Sequence, residues 1–533
     1  MQLDPRFQER IAIIVTVTVG ILSAIMLGKM TAQGQTSTIA LIAFGVIGIA
    51  SVLHFRERVW VVIPVLWPFY GAVQILPLPF ALKDLGVMAG LGTVIVCIAL
   101  KIIRRKPTFT YLDALLYLNA IWLIIVLVRN PVGFLESDSE RVGGRPYVSA
   151  FFGTVAYWTL SRLSAPVKTM RRVPFYAVSA VGVLFLINVA MIYVPAIAVL
   201  ASTFYSGFSL YFVDGVGEAG GGGVAAIEGG IARYEFFRDI GFFACLYLCA
   251  YFSPPTLLNV MQWRRSLAFI AAMAGLLLSG FRSFLVYAGA IFLMGSYFRK
   301  GWSSVLRSSS AGVLAVFLLL LGHGTLYNLP FAAQRAFAIV PSFLRPSQLD
   351  ENAILAGESS TDWRVEMWIL ALTTDRYITN KVLGDGFGMT KMQLNAHQRA
   401  ARGGNTSHEE GQEHMAIAGD FHSGPVSTIR VVGYVGLVFL YLLLIPMAFK
   451  AVKLIRRARG SPLFAPTLFF CMPIVFEPFW FTFIFGAFSI VFPFLAYGLG
   501  MMKLIENSIE EYESSRAKPP VPAGANYQLQ AVS

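Results

Sequence analysis

Long apolar runs recur along the whole chain, and they constrain its fold more than any other sequence feature. A helix that crosses the hydrocarbon core of a bilayer needs about 20 predominantly apolar residues. Candidate runs lie near 11–29, 38–54, 59–76, 84–101, 111–128, 148–162, 175–199, 239–253, 266–280, 283–298, 305–325, 427–449, 464–481 and 484–503. We therefore predict an all-α polytopic membrane protein with about 12–14 transmembrane helices.

The composition fits a membrane-embedded chain and argues against a soluble enzyme. Of 533 residues, 56% are hydrophobic and only 13% are charged, whereas soluble proteins carry roughly 25% charged residues. The four cysteines lie in apolar runs, so no disulfide framework is implied. The first run lacks a convincing cleavage site and is interpreted as a retained span. Pro473, Pro478 and Pro493 interrupt the last two runs, which leaves a re-entrant hairpin as an alternative to two full crossings.

Lysine and arginine cluster at alternate connections between the runs. The clusters are Arg56/Arg58, Lys101/Arg104/Arg105/Lys106, Arg162/Lys168/Arg171/Arg172, Arg264/Arg265, Arg299/Lys300/Arg307 and Lys450/Lys453/Arg456/Arg457/Arg459. Because basic residues accumulate in cytoplasmic connections, this pattern predicts that both termini are cytoplasmic. The net charge of +13 is thus a topology signal, and nucleic acid is not an expected partner.

The connections divide the chain into four parts. Residues 1–325 hold eleven spans and a glycine-rich outer loop near 200–238, which we expect to be mobile. Residues 326–425 form a large polar loop on the outer face, 426–505 form the C-terminal spans, and 506–533 form a tail that we predict to be disordered. A structureless loop as long as residues 326–425 would be unusual, so we predict that this loop is a functional cap with short helices at Trp363–Thr373 and Thr390–Ala401.

Histidine is concentrated in the large outer loop, which contains His397, His408, His414 and His422. Histidine is the side chain whose ordinary pKa suits proton transfer near neutral pH. The pair His408 and His414 lies six residues apart, whereas the metal-binding pattern H-E-x-x-H needs histidines four apart on one helical face. Gly411 between them also disfavours a helix, so we expect neither a metal site nor another cofactor.

Arginines at the outer face are the second group of candidate site residues. Arg233 and Arg238 precede the eighth span, Arg282 occupies the turn between the ninth and tenth, and Arg364 lies in the large loop. Guanidinium groups suit a diphosphate because they stay charged and offer paired donors. A single arginine at a helix end also commonly extends to the membrane interface, so the joint placement is the argument.

Weaker candidates are two tryptophans and two carboxylates. Trp363 and Trp368 could stack on sugar rings, although interfacial aromatic residues more often serve packing. Asp385 lies in a glycine-rich turn, where aspartate often makes only local hydrogen bonds. Glu477 lies within a predicted span, where a carboxylate is either functional or interfacial.

The ordered motifs resemble those of the O-antigen ligase and O-antigen polymerase family. His422-Ser423-Gly424-Pro425 is followed by Gly433 and Gly436, which matches the family's histidine with G-x-x-G eleven and fourteen residues onward. The stretches Arg364–Trp368, Leu383–Gly388 and Ser279–Ser283 resemble its R-x-x-x-W, L-G-x-G-x-G and S-R segments, the last with two residues inserted. Arg233–Gly241 lacks the family's usual Gly and Asn, which leaves the choice between Arg233 and Arg238 open. The resemblance covers about residues 230–450.

This resemblance implies a metal-independent, inverting glycosyltransferase with a GT-C-like fold in the bacterial inner membrane, with its active site facing the periplasm. The donor would be a glycan on undecaprenyl diphosphate, and the acceptor a sugar hydroxyl of lipid A–core or of another glycan. His422 would be the catalytic base with Arg364 assisting, while Arg282 and either Arg233 or Arg238 would bind the donor diphosphate. A polymerase, a polysaccharide transporter or flippase, and an outer-face binding protein are the alternatives.

Overall fold

A computed structural model describes residues 56–73, 80–103, 108–132, 142–205, 226–228, 231–233, 235–337, 349–388, 416–417 and 419–517. The predicted spans near 11–29 and 38–54, the predicted helix at 390–401 and most of the loop 200–238 lie outside these residues. The described chain is largely α-helical. Its one described sheet is an antiparallel hairpin of β1 (Ala226–Glu228) and β2 (Ile231–Arg233).

The first half of the described chain contains six α-helices. A 3-10 helix at Arg56–Val61 leads into α1 (Val62–Leu66), α2 (Leu82–Ala99), α3 (Tyr111–Arg129), α4 (Arg145–Ser161), α5 (Val167–Tyr193) and α6 (Pro195–Phe204). The predicted span near 59–76 is wrong over residues 67–73, because Pro68 has no N–H to continue the helix and Ala72 pairs with Ala81 instead. The predicted span near 175–199 divides at Val194, since the residue before a proline favours extended backbone.

The second half contains the longer helices and the helical part of the polar loop. Its elements are α7 (Glu235–Tyr251), α8 (Pro254–Leu257), a 3-10 helix at Val260–Gln262, α9 (Trp263–Leu278), α10 (Arg282–Lys300), α11 (Trp302–Gly322), α12 (Phe331–Ala336), α13 (Glu351–Thr373), α14 (Gly424–Ala458), α15 (Phe464–Phe483) and α16 (Phe488–Ala517). The predicted helix at 363–373 is confirmed and begins earlier, at Glu351. Residues 506–517 are helical, so the predicted disorder from 506 is wrong for these twelve residues.

Seven described helices are long and apolar enough to cross a bilayer: α2, α3, α5, α11, α14, α15 and α16. The chain is therefore a mainly helical, multi-pass membrane protein. Helices α4, α7 and α9 coincide with predicted spans but have only 17, 17 and 16 residues. The total of 12–14 crossings stays a prediction.

The proline-containing helices α15 and α16 continue for 20 and 30 residues. A helix of 20 residues is about 30 Å long, which matches the thickness of the hydrocarbon core. Neighbouring helices and local adjustments allow prolines within membrane helices. Their lengths favour two full crossings over the re-entrant hairpin.

The helices associate through small residues and aromatic contacts that set the position of the site. Helices α4 and α16 approach so closely that a Cβ added to Gly153 would lie 2.8 Å from the Pro493 Cα, as expected for packing between membrane helices. Helix α10 packs along α15: Phe284 contacts Trp480 near one end, and Arg299 lies over Phe464 at the other. We call the end at which α10 and α14 begin and α15 finishes the His422 end.

A buried ion pair joins α3 to α16 at the opposite end, and breaking it is expected to destabilise the protein. Lys503 Nζ contacts Asp113 Oδ2 and donates to the Thr108 carbonyl at 2.9 Å. Asp113→Ala leaves the lysine charge buried, so we expect the free energy of unfolding to fall by about 3–5 kcal/mol. Thermal unfolding in detergent measures this change.

The matched control for the Asp113 variant is Glu513→Ala, which removes the exposed partner of Arg457. Exposed ion pairs contribute about 0–1 kcal/mol, so this variant should unfold nearly as the wild type does. The double variant Asp113→Leu with Lys503→Met should recover most of the lost stability, because neither charge is then buried. Equal unfolding of Asp113→Ala and Glu513→Ala would contradict the assignment.

Candidate functional site

His422 lies in the short segment that leads into α14, and its backbone conformation is unusual. Its φ angle is 51°, and Lys101 is the other non-glycine residue with positive φ in the described part of the chain. Such conformations persist where surrounding contacts enforce them, often at functional sites. Here the adjoining Phe421 is fully buried, its N–H donates to Ser427 Oγ at 3.3 Å, and its carbonyl accepts from Trp368 Nε1 at 2.7 Å.

Asp420 lies beside the imidazole of His422. Its Oδ1 is 3.2 Å from His422 Nδ1, and the two side chains are 3% and 17% exposed. A carboxylate this close to the ring stabilises the protonated imidazole through its charge. Asp420 was not among the predicted site residues. Its position two residues before His422 was the available signal.

Helix α13 and the turn after α15 place aromatic rings around His422. The Trp363 ring centroid lies 6.0 Å from the imidazole centroid in an edge contact, and the Phe485 centroid lies 5.5 Å from it. Arg364 follows Trp363, so the structure brings the predicted loop arginine to the same part of the molecule. Trp368 uses its indole N–H to hold the Phe421 carbonyl, which favours a positioning role over the predicted stacking on sugar.

Two of the predicted arginines lie at one turn on the His422 end. Arg238 lies in the first turns of α7, and Arg282 is the first residue of α10. The Arg238 guanidinium lies 5.0 Å from the Phe281 ring centroid and 5.3 Å from that of Phe284, on either side of Arg282 in sequence. Arg238 also pairs with Asp239 at 2.7 Å. We call Arg238, Arg282 and their connecting aromatic residues the arginine turn.

The other candidate for this position, Arg233, is the last residue of β2, and its side chain lies outside the described part of the structure. The contacts of Arg238 with Phe281 and Phe284 therefore favour Arg238 as the partner of Arg282. Both Arg282 and Arg364 are half-buried. Guanidinium groups in such positions are less hydrated and bind phosphate oxygens more strongly than fully exposed ones do.

The last turn of α15 connects the arginine turn with His422. Trp480 contacts Phe284 of α10 at 5.5 Å between ring centroids. The next residue, Phe481, packs so closely on Gly424 that a Cβ added to the glycine would overlap the Phe481 carbonyl oxygen. The arginine turn and the His422 segment thus flank consecutive residues of one helix.

The G-x-x-G motif marks a break in α14. Gly433 has φ 70° and ψ −178°, a backbone region that is essentially restricted to glycine. The segment Leu383–Gly388 enters this break: Asp385 N–H donates to the Arg430 carbonyl at 2.8 Å, and Gly386 N–H donates to that of Val431 at 2.9 Å. The motif therefore joins the large loop to α14.

The contacts of Asp385 favour a structural role over the predicted contact with glycan. Its carboxylate accepts from the N–H groups of Thr379 and Asn380 at 2.7 and 2.9 Å, and Oδ2 lies 4.0 Å from Arg430 Nη1. Arg430 in turn donates to the carbonyl of Gly386 at 3.0 Å. Asp385 thus stabilises the loop that occupies the α14 break, as the local hydrogen-bonding interpretation anticipates.

Gly433→Ala is expected to destabilise the protein by about 1–3 kcal/mol, the usual cost of enforcing such a backbone conformation on a residue with a side chain. An added Cβ would also overlap the Val382 carbonyl oxygen. Gly289→Ala in α10 is the control, since a Cβ there meets no atom within 4 Å and alanine favours a helix. The temperature of thermal unfolding measures both effects. A lower unfolding temperature for Gly289→Ala than for Gly433→Ala would contradict this role for Gly433.

The remaining histidines near or within the large loop are either held by other contacts or lie outside the described residues. His323 is buried, and its Nδ1 accepts from the Leu329 N–H at 3.0 Å. His397, His408 and His414 lie outside the described residues. Within the described ranges, no group of three or more His, Cys, Asp or Glu side chains could hold a metal ion.

The His422 end combines a proton acceptor with fixed cations at the edge of a membrane-embedded helical bundle. The His422–Asp420 pair can accept a proton from a hydroxyl, and the arginine turn can bind a phosphate or carboxylate. This arrangement suits transfer chemistry with an anionic leaving group.

Neither a protein-family model nor a curated protein sequence matches the chain.

Proposed function

We propose that the protein is a membrane glycosyltransferase of the O-antigen ligase type. It transfers a glycan from undecaprenyl diphosphate to a sugar hydroxyl of lipid A–core or of another glycan acceptor. The observation that carries the proposal is the His422–Asp420 contact of 3.2 Å. This contact lies in the segment whose residues resemble the family's histidine motif, and α15 connects that segment with the arginine turn.

In the proposed reaction, His422 takes the proton of the acceptor hydroxyl as this oxygen attacks the anomeric carbon of the donor. The bond from that carbon to the diphosphate oxygen breaks on the opposite face, and its electron pair stays with the diphosphate. Configuration at the carbon is therefore inverted. Asp420 stabilises the imidazolium that forms.

Cationic side chains balance the charge of the departing diphosphate. Arg282 and Arg238 bind its oxygens, and Arg364 assists from α13. Because these guanidinium groups are fixed before the bond breaks, little reorganisation is needed as charge develops. The proposed reaction therefore requires no metal ion or other cofactor.

The proposed location is the bacterial inner membrane, with the His422 end facing the periplasm, both termini in the cytoplasm and a GT-C-like helical architecture. Support comes from the distribution of charge between the two ends of the helices. Arg299, Lys300 and Arg456 lie at the end opposite His422, which the positive-inside rule assigns to the cytoplasm. Lipid-linked donor and acceptor would then meet at the outer surface.

The test is product analysis with the full-length protein in nanodiscs, supplied with a defined glycan on undecaprenyl diphosphate. With lipid A–core present, we expect glycan-capped lipid A–core. A lengthened lipid-linked glycan would instead identify a polymerase. Absence of any new glycosidic bond would contradict the proposal, and movement of the intact lipid-linked glycan across liposome membranes would then identify a flippase.

A further inference from the structure

Glu477 is a buried carboxyl group that the proposed reaction leaves unused. It lies on α15 and is 6% exposed. Within the described part of the chain, neither a hydrogen bond nor an ion pair reaches its carboxyl group. Ionisable groups within membrane helices are costly to bury and usually face a functional cavity or a partner. The position therefore calls for a ligand that supplies the missing polar contact.

The helical geometry directs Glu477 between the two halves of the site. Trp480 faces α10, where its ring centroid lies 5.5 Å from that of Phe284 and 4.6 Å from that of Tyr287. Phe481 instead faces Gly424 and the His422 segment. At about 100° per residue, Glu477 projects about 60° from the direction of Trp480 and about 40° from that of Phe481. Its side chain thus projects between the side of α15 that faces the arginine turn and the side that faces the His422 segment, roughly one helical turn deeper along α15.

The neighbouring hydroxyl does not supply that contact. Tyr287 lies within electrostatic reach of Glu477, but its hydroxyl donates to the Pro473 carbonyl at 3.3 Å. A carboxyl group among apolar and aromatic side chains, without a cation, is more stable as the neutral acid than as the ion. The neutral acid has one O–H donor.

We propose that Glu477 donates a hydrogen bond to the diphosphate of the lipid-linked donor, alongside Arg238 and Arg282. This inference rests on the proposed function, because it takes the diphosphate as the ligand of the arginine turn. The proton stays on Glu477, and the acceptor proton still goes to His422. As the bond to the anomeric carbon breaks, the electron pair on the diphosphate oxygen strengthens the hydrogen bond from Glu477.

The test compares Glu477→Gln with Glu477→Leu in the full-length protein, using binding of undecaprenyl diphosphate and the rate of glycan transfer. Glutamine keeps an N–H donor, so both quantities should stay within about threefold of wild type. Leucine has none, so we expect binding and transfer to fall roughly ten- to hundredfold. The matched control is Glu510→Gln at the opposite end, which should leave both unchanged.

Two results would overturn the inference. Wild-type binding and transfer by Glu477→Leu would show that the carboxyl group does not contact the diphosphate. Equal loss in the leucine and glutamine variants would show that a donor at this position is not sufficient. Misfolding is not expected to cause a loss in Glu477→Leu, because leucine removes a buried polar group. Thermal unfolding of this variant should therefore occur at or above the wild-type temperature.

Binding and transfer also separate this inference from the proposed function. If the wild type forms no glycosidic bond but Glu477→Leu still weakens binding of undecaprenyl diphosphate, the proposed function fails and Glu477 remains a ligand contact. If the wild type transfers glycan and Glu477→Leu does so equally well, only the role of Glu477 fails.

Discussion

His422→Ala is expected to lower glycan transfer by about 10²–10⁴-fold, the usual contribution of a positioned general base. The imidazole is held by an enforced backbone conformation and lies 3.2 Å from Asp420, and alanine puts no proton acceptor at that position. Binding of undecaprenyl diphosphate should change little, since it depends on the arginine turn. Initial rates with purified protein and a defined lipid-linked donor measure the first effect, and equilibrium binding measures the second.

Asp420→Asn tests whether the carboxylate acts through His422. We expect the rate of transfer to fall, because asparagine does not stabilise the imidazolium. The fall should be smaller than for His422→Ala, because asparagine fills the same space and the imidazole remains. Adding Asp420→Asn to His422→Ala should cause no further loss, since residues that act as a unit are not additive. Wild-type transfer by His422→Ala would remove the catalytic role from this residue.

The control for these variants is His323, which is buried. His323→Asn keeps an acceptor for the Leu329 N–H and removes an imidazole outside the proposed site. Its rate of transfer should equal that of the wild type. A matching loss in His323→Asn and His422→Ala would indicate a general effect on folding.

Helical spans were predictable because their signal is local. A run of about 20 apolar residues suffices to identify a candidate crossing, and α3 and α15 follow their predicted bounds within a few residues. Errors arose where local chemistry competed with hydropathy. Pro68 prevents the predicted span near 59–76 from continuing, and the polar stretch at 506–517 is helical because it packs on α14 through pairs such as Lys450 with Glu506.

Much of the candidate site depends on contacts between residues that are distant in sequence, which a single sequence does not encode locally. Trp368 holds the carbonyl of Phe421 from 53 positions away, and Arg238 meets the Phe281–Phe284 turn of another helix. The sequence marked Gly433 as part of a motif. Only the structure explains its physical basis, which is the φ of 70° and the loop that enters the break.

Arg282→Ala is expected to lower transfer by about 10²–10³-fold, comparable with removal of one fixed donor to a developing negative charge. It should also weaken binding of undecaprenyl diphosphate, because the diphosphate is charged before and after the reaction. Arg282→Lys should recover only part of either effect, since lysine keeps the charge but lacks the paired donors of guanidinium. Arg307→Ala on the exposed basic end of α11 is the control and should behave as wild type.

The same measurements decide between the two candidates for the second diphosphate arginine. Arg238 contacts the turn that holds Arg282, so Arg238→Ala should weaken binding strongly, whereas Arg233→Ala should have the smaller effect. The Arg238→Ala and Arg282→Ala losses should not add fully in the double variant, because both side chains bind one ligand. Full additivity, or undiminished binding of undecaprenyl diphosphate in both single variants, would contradict a shared diphosphate site, and the glycosyltransferase proposal would then lose its leaving-group chemistry.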